Sequence, residues 1–144
     1  MLSSKSRYAF RALVFLALKD KEEGKIGINY ISSSLDIPKP FLAKIMQDLA
    51  RMKVLNSLKG PRGGFSMAKP ANEIRLVEIL EIIEGSDFFD RCLIGISSCT
   101  EGEIRCPFFT RYDKIRKQLK ELFENSTIQN LVDEIKTCNG NFNV

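Results

Sequence analysis

The stretch INYISSSLDIPKPFLAKIMQDLARM, residues 28–52, decides how the chain is read. Ile28, Ile31 and Leu35 recur at i, i+3 and i+7, the spacing of one face of a short helix. Asp36-Ile37-Pro38-Lys39-Pro40 interrupts that helix as a turn. Pro40 suits the first position of a new helix, where its missing N–H would be unpaired anyway. The new helix carries Phe41, Leu42, Ile45, Met46, Leu49 and Met52 on its apolar side, with Lys39, Lys44, Gln47, Asp48 and Arg51 opposite. Two helices joined by so short a turn, the second with a polar outer stripe, form the helix-turn-helix pattern. In that pattern the second helix enters the major groove of DNA, which makes Lys39 and Lys44 candidate contacts to bases or backbone.

Immediately downstream, Val54 to Lys59 is strand-like, Gly60-Pro61-Arg62-Gly63-Gly64 is rich in glycine, and Phe65 to Ala68 is strand-like again. Two short strands around such a tip predict a hairpin. Placed directly after a helix-turn-helix, the hairpin is a wing with Lys59 at its base and Arg62 at its tip. A narrow minor groove attracts arginine electrostatically, which gives the tip residue a role. The glycines do not form a nucleotide cradle, because Gly63-Gly64 is followed by Phe65 and not by Lys-Ser/Thr opening a helix.

On the N-terminal side, Ser6 to Lys19 is apolar nearly all round its helical wheel, through Tyr8, Ala9, Phe10, Leu13, Val14, Leu16 and Ala17. That pattern predicts a buried helix. Lys25-Ile26-Gly27 reads as a short break or a small strand. Lys5 and Arg7 ahead of the apolar run resemble a signal peptide, but Arg11 interrupts it and Asp20, Glu22 and Glu23 stand where small residues should mark cleavage. The run is also shorter than the roughly 20 residues that span a bilayer. The expected location is therefore cytoplasmic, with no membrane partner.

Beyond the wing, Ile74 to Glu84 predicts a helix burying Leu76, Val77, Ile79, Leu80 and Ile83, ended by Gly85. Residues 86–107 form a long cysteine-bearing loop. Phe108 to Glu124 is an amphipathic helix with Phe109, Tyr112, Ile115, Leu119, Leu122 and Phe123 on one stripe. Ser126 to Gln129 fits a capping box for a last helix, Ile128 to Lys136. This arm either folds back onto its own domain or packs against its counterpart in a dimer. Helix-turn-helix proteins usually read two half-sites about one helical turn apart, so Tyr112, Ile115, Leu119, Leu122 and Phe123 are assigned to a dimer interface.

Charge divides the chain in the same place. Residues 1–75 hold 14 Lys/Arg against 6 Asp/Glu, whereas residues 76–144 hold 8 against 12. The basic half suits a polyanion and the acidic half suits another task.

Cys92, Cys99 and Cys106 are separated by six residues each, in a loop that also holds Gly95 and Gly102. Thiolates are soft ligands for iron–sulfur clusters and for zinc, although zinc would want a fourth close ligand and the chain has no histidine. A redox trio without metal is the alternative; Cys138 stands apart as an incidental thiol. The same lack of histidine removes Ser-His and Cys-His nucleophiles. Glu81 and Glu84 sit at helical spacing on a charged face, which argues for solvation and against an enzyme with a small-molecule substrate.

Together these residues resemble the Rrf family of winged-helix regulators (IscR, NsrR, RirA and CymR among them). The opening Leu2-Ser3-Ser4-Lys5-Ser6-Arg7-Tyr8-Ala9, the helix-turn-helix from Ile31 to Leu42 and the wing Lys59-Gly60-Pro61-Arg62-Gly63-Gly64-Phe65 carry the resemblance, which continues through the three-cysteine loop. It implies a homodimer on double-stranded DNA, with recognition helix in the major groove and wing in the minor groove. It also implies that Cys92, Cys99 and Cys106 hold a 2Fe–2S or 4Fe–4S cluster that sets DNA affinity. Three positions depart from relatives. Phe109 stands where IscR-like members have a histidine ligand. Arg7 stands where nitric-oxide sensors have an aspartate, and Ala43 replaces an acidic residue of the recognition helix. Candidates for the fourth ligand are Glu101, Glu103, Asp113, a partner-chain group or an exogenous thiol.

The expected fold is mainly α with a small β-wing: a winged helix-turn-helix domain over residues 1–85, the cluster loop over 86–107, and a dimerisation helix plus C-terminal helix over 108–144. The expected function is a homodimeric, cluster-controlled transcription regulator acting as a repressor. The alternatives are a cluster-free regulator governed by a protein partner or cysteine redox state, and an adaptor that binds no DNA.

Overall fold

A computed structural model describes residues 2–92 and 109–138. Among these residues, six α-helices and one two-stranded antiparallel sheet surround a core centred on the first helix, α1 (Ser4–Glu23). Ser3 caps α1 by accepting from the Ser6 N–H, and Gly24 ends it at φ 66°. Ala9, Ala12, Leu13, Val14, Phe15 and Leu16 are all buried, as a helix apolar on every side requires. Arg11, the charge that interrupts the run, has a structural job. Its guanidinium donates to the Leu35 carbonyl at 2.5 Å, satisfying an acceptor that the end of the next helix leaves open.

That next helix, α2, spans Ile28–Leu35 as its periodicity predicts. The turn after it is tight because Asp36 adopts the left-handed conformation (φ 51°, ψ 48°), one that Asp tolerates better than most residues. Two contacts close the turn: Ile37 N–H to the Ser32 carbonyl at 3.1 Å and Ser32 hydroxyl to the Ile37 carbonyl at 2.6 Å. Helix α3 (Lys39–Arg51) then buries Leu42, Ile45, Met46 and Leu49. It starts one residue earlier than expected, with Pro40 at its second position. The Pro38 carbonyl accepts from both Phe41 and Leu42 at 3.1 Å, so Pro38 itself acts as the cap. Phe41 and Met52, assigned by spacing to the apolar side, lie 60% and 55% exposed.

Strands β1 (Leu55–Leu58) and β2 (Gly64–Met67) pair with Leu55 opposite Met67 and Leu58 opposite Gly64. Ile26, in the predicted small strand, bridges to Phe65 through N–H···O contacts of 2.9 and 2.8 Å. The wing is thereby fastened to the link between α1 and α2. Gly64 is required by that approach: a Cβ there would stand 2.5 Å from the Ile26 carbonyl oxygen. At Gly63 a Cβ would stand 2.2 Å from the Leu58 carbonyl oxygen, across the hairpin tip.

Helix α4 covers Leu76–Glu84, with Gly85 at φ 100° closing its end. Ile74, expected to begin it, is instead extended, because its carbonyl accepts from Ile128 N–H at 2.9 Å while Leu76 N–H reaches the Ser126 carbonyl at 2.9 Å. This pairing joins the segment ahead of α4 to the link between α5 (Phe109–Asn125) and α6 (Ile128–Thr137). It also moves the predicted capping box by one residue. Thr127 is held extended and forms the box with Asn130, in place of Ser126 with Gln129. Ile128 and Val132 of α6 are buried in the same core as α1. No described helix is long and apolar enough to cross a membrane.

Candidate nucleic-acid interface

With Leu42, Ile45, Met46 and Leu49 facing the core, the opposite side of α3 presents Pro40, Lys44, Gln47 and Arg51 at i, i+4, i+7 and i+11. All four are exposed, as is Lys39 in the first turn. Lys59 and Arg62 are exposed on the wing. Between α3 and the wing runs a groove of about 660 Å³, bordered by Asn29 of α2, Gln47 and Arg51 of α3, and Ser57, Lys59 and Gly60 of the hairpin. Lys44 lines a second cavity, of about 210 Å³, with Lys5, Phe41, Asp48 and Ile83.

Of the four cations predicted from sequence, Lys59 borders the groove between α3 and the wing and Lys44 lines the second cavity, whereas Lys39 and Arg62 are exposed outside both. Asn29, Gln47 and Arg51 were not singled out from sequence as contacts. Gln47 and Arg51 were visible on the polar face of α3, whereas nothing local marks Asn29, which only the packing of α2 beside the wing brings there. Arg51 forms an ion pair with Asp48, one helical turn back.

A second constellation lies at the end of α4, where the described chain approaches the cysteine loop. Glu84 accepts hydrogen bonds from the hydroxyls of Ser3 and Ser6, the latter at 2.5 Å; Ser6 is fully buried. Burial raises the carboxyl pKa of Glu84. The two serine hydroxyls, the Ser3 backbone and the Arg91 charge outweigh that effect and hold it below the ordinary value. Arg91 itself donates to the Glu84 carbonyl and to Asp87, at 2.9 and 3.1 Å in the latter case, and immediately precedes half-buried Cys92. Asp90 lies 3.8 Å from the mostly buried Arg116 of α5, which also pairs with Asp113.

These contacts tie the start of α1, the end of α4 and α5 to the residues flanking Cys92. Because the folded Glu84 pKa is depressed, its contribution is fully present above the unfolded value and is lost as pH falls through the folded one. Glu84→Gln is expected to cost about 1 kcal/mol at neutral pH, discounted for its partial exposure, and to flatten the acid limb of the stability profile. Thermal melts of both proteins from neutral to acid pH measure this. Parallel acid limbs would remove Glu84 from the account.

Cys99, Cys106, Glu101 and Glu103 lie outside the described residues. Among the described residues, no group of three or more His, Cys, Asp and Glu side chains could hold a metal ion. The donor set of the whole loop, three thiols without histidine, fits a thiophilic iron centre. Asp113 is already engaged: a hydrogen bond from Lys117, then contacts from Arg116, hold its carboxyl below the usual range. Cys138 is exposed at the end of α6.

On α5, Ile115 and Leu122 are 61% and 59% exposed, and Leu119 is 38% exposed. Phe123, assigned with them to a dimer interface, instead turns inward, with its ring 6.2 Å from Phe10 and 6.0 Å from Phe89. Tyr112 is half-buried.

The sequence model of the family described as "Rrf2: Iron-dependent Transcriptional regulator" matches residues 2–134. A protein of Aquifex aeolicus (strain VF5), assigned by name to the HTH-type transcriptional regulators, is 33% identical over 92% of both chains. The HTH-type transcriptional regulator IscR of Pectobacterium atrosepticum is 30% identical over 96% of this chain and 82% of its own. The structure of CymR, the global cysteine regulator of B. subtilis, superposes with a TM-score of 0.75 over 93% of this chain and 97% of its own, at 21% identity, which establishes likeness of fold.

Proposed function

The chain belongs to the Rrf2 family of transcriptional regulators, and from that premise we propose that it works as a homodimeric repressor whose DNA affinity is set by an iron–sulfur cluster on Cys92, Cys99 and Cys106. DNA binding and transcriptional regulation, as opposed to catalysis, follow from the family and the fold. The observation that supports the interface is the groove in which Gln47 and Arg51 of the exposed α3 stripe meet Lys59 of the wing. Lys39 and Lys44 serve the major groove or its flanking phosphates, and Arg62 the minor groove.

The control element is read from chemistry. Three cysteine thiols and no histidine suit an iron–sulfur centre, which supplies a gas- and redox-reactive group when bound. The side chains around Cys92 give such a centre a route to the reading head. Arg91 and Asp90, just ahead of Cys92, contact α4 and α5 respectively, and Glu84 of α4 holds the first turn of α1. A cytoplasmic site of action agrees with three thiols kept reduced.

The wing is tested directly. Lys59→Ala is expected to lower the slope of log K against log salt by about 1, the loss of one phosphate contact, and Arg62→Ala to relax preference for A·T pairs. Fluorescence anisotropy on duplexes across a salt titration measures both. Binding curves identical to those of the parent protein for both variants would remove the wing from the interface.

A further inference from the structure

A helix in a major groove and a wing in the neighbouring minor groove are separated by one sugar-phosphate strand. The groove between α3 and the hairpin is therefore where that strand must run. Its walls suit the passenger: Arg51 and Lys59 supply positive charge, Asn29 and Ser57 supply neutral donors, and Leu58 and Phe65 border it with apolar surface. One feature opposes it. Arg51 is not waiting for a phosphate, because its guanidinium is paired with the Asp48 carboxylate on the same helix. Arg51 is 74% exposed at the side chain and Asp48 is 33% exposed, so the pair sits at the rim, where a phosphate oxygen can reach the guanidinium.

We propose that Asp48 is an internal stand-in for a DNA phosphate, holding Arg51 until a backbone strand seated between recognition helix and wing displaces it. The exchange substitutes one anionic oxygen for another on the same guanidinium, so no proton or covalent bond moves. An exposed ion pair is weak, and close approach suffices to exchange it. On a duplex whose bases match α3, base contacts hold the helix deep in the groove and bring the phosphate to Arg51. On an unmatched duplex the helix rides higher and Arg51 stays with Asp48. Asp48 thereby widens the gap between matched and unmatched DNA without touching a base, and Arg51 is a phosphate contact that operates only in the matched complex.

This inference rests on the DNA-binding reading, and the two fail in different ways. The full-length protein, Asp48→Asn, Arg51→Gln and the double variant are titrated with two labelled duplexes over a range of salt. One duplex has mixed sequence; the other is selected by the wild-type protein from a random pool. Asp48→Asn is expected to bind the mixed duplex on the order of fivefold more tightly at 0.1 M salt, with a salt slope steeper by about 1. The selected duplex should gain less, and both gains should vanish when Arg51 is also replaced. A gain that survives loss of Arg51 would show a general charge effect and overturn the proposal. Weaker binding of Asp48→Asn to the selected duplex would make Asp48 a base contact, with the same consequence. Wild-type protein that selects and binds no duplex would instead overturn the DNA-binding reading itself.

Discussion

Leu119→Asp is expected to turn the dimer into monomers and to weaken binding to a two-half-site operator by about a hundredfold or more, since linked sites gain that much from each other. The reason lies in how α5 divides its residues. At about 100° per residue, Ile115, Leu119 and Leu122 fall within about 60° of one another on the helix surface. All three are left exposed by the protomer's own packing. Tyr112, Phe123 and Arg116 occupy the neighbouring sector, which turns towards α4 and the first helix. A second copy of the same stripe is the cover that the proposed homodimer supplies. A carboxylate at position 119 would be desolvated in that interface without a partner, at roughly 3–5 kcal/mol. At about 1.4 kcal/mol per factor of ten, self-association drops by roughly two to four orders of magnitude. Because the substitution leaves Phe10, Phe89 and Phe123 in place, the protomer should keep its helical content and melting behaviour. Sedimentation equilibrium decides the matter, and an intact dimer would move the interface to another surface.

The second large effect concerns the cysteines. Anaerobically isolated wild type is expected to contain iron and acid-labile sulfide and to absorb in the visible. Alanine at Cys92, Cys99 or Cys106 should remove most of that content, and alanine at Cys138 should leave it unchanged. Cys92 occupies a half-buried position directly after Arg91, whereas Cys138 is exposed at the far end of α6. Loss of one of three thiolates leaves too few soft ligands for a stable cluster in a chain without histidine. Chelation of iron from the wild type should change its affinity for operator DNA, which connects the centre to regulation. Equal cluster content in the Cys92, Cys99 and Cys106 variants would refute the ligand assignment. A colourless wild type that binds operator normally would favour the cluster-free regulator.

The helix-turn-helix was legible because its signal is local. Ile28, Ile31 and Leu35, and then Leu42, Ile45, Met46 and Leu49, repeat at the helical period, and the intervening turn is too short to permit other arrangements. The wing was legible for a similar reason: Gly63 and Gly64 stand where any side chain would strike a backbone oxygen. Arg11 and Glu84 were not legible, since one looked like an interruption and the other like a solvated face. Each is explained by a partner far along the chain, the Leu35 carbonyl in one case and Ser3 and Ser6 in the other.

By itself, then, the sequence determined the order of elements and the helix-turn-helix with its charged outer face. All of these depend on neighbours within one helical turn or one hairpin. Tertiary structure alone decided which surface covers each amphipathic face. Periodicity shows that α6 buries Ile128 and Val132, but only the backbone pairing of Ile74 and Leu76 with Ile128 and Ser126 returns that helix to α1. The same holds on α5, where one apolar stripe in sequence becomes two surfaces, Phe123 inward and Leu119 outward. A hydrophobic face specifies that area must leave water, and its energy is nearly indifferent to which apolar partner accepts it. Directional backbone hydrogen bonds and ion pairs between distant segments make that choice, and they exist only once the chain has folded.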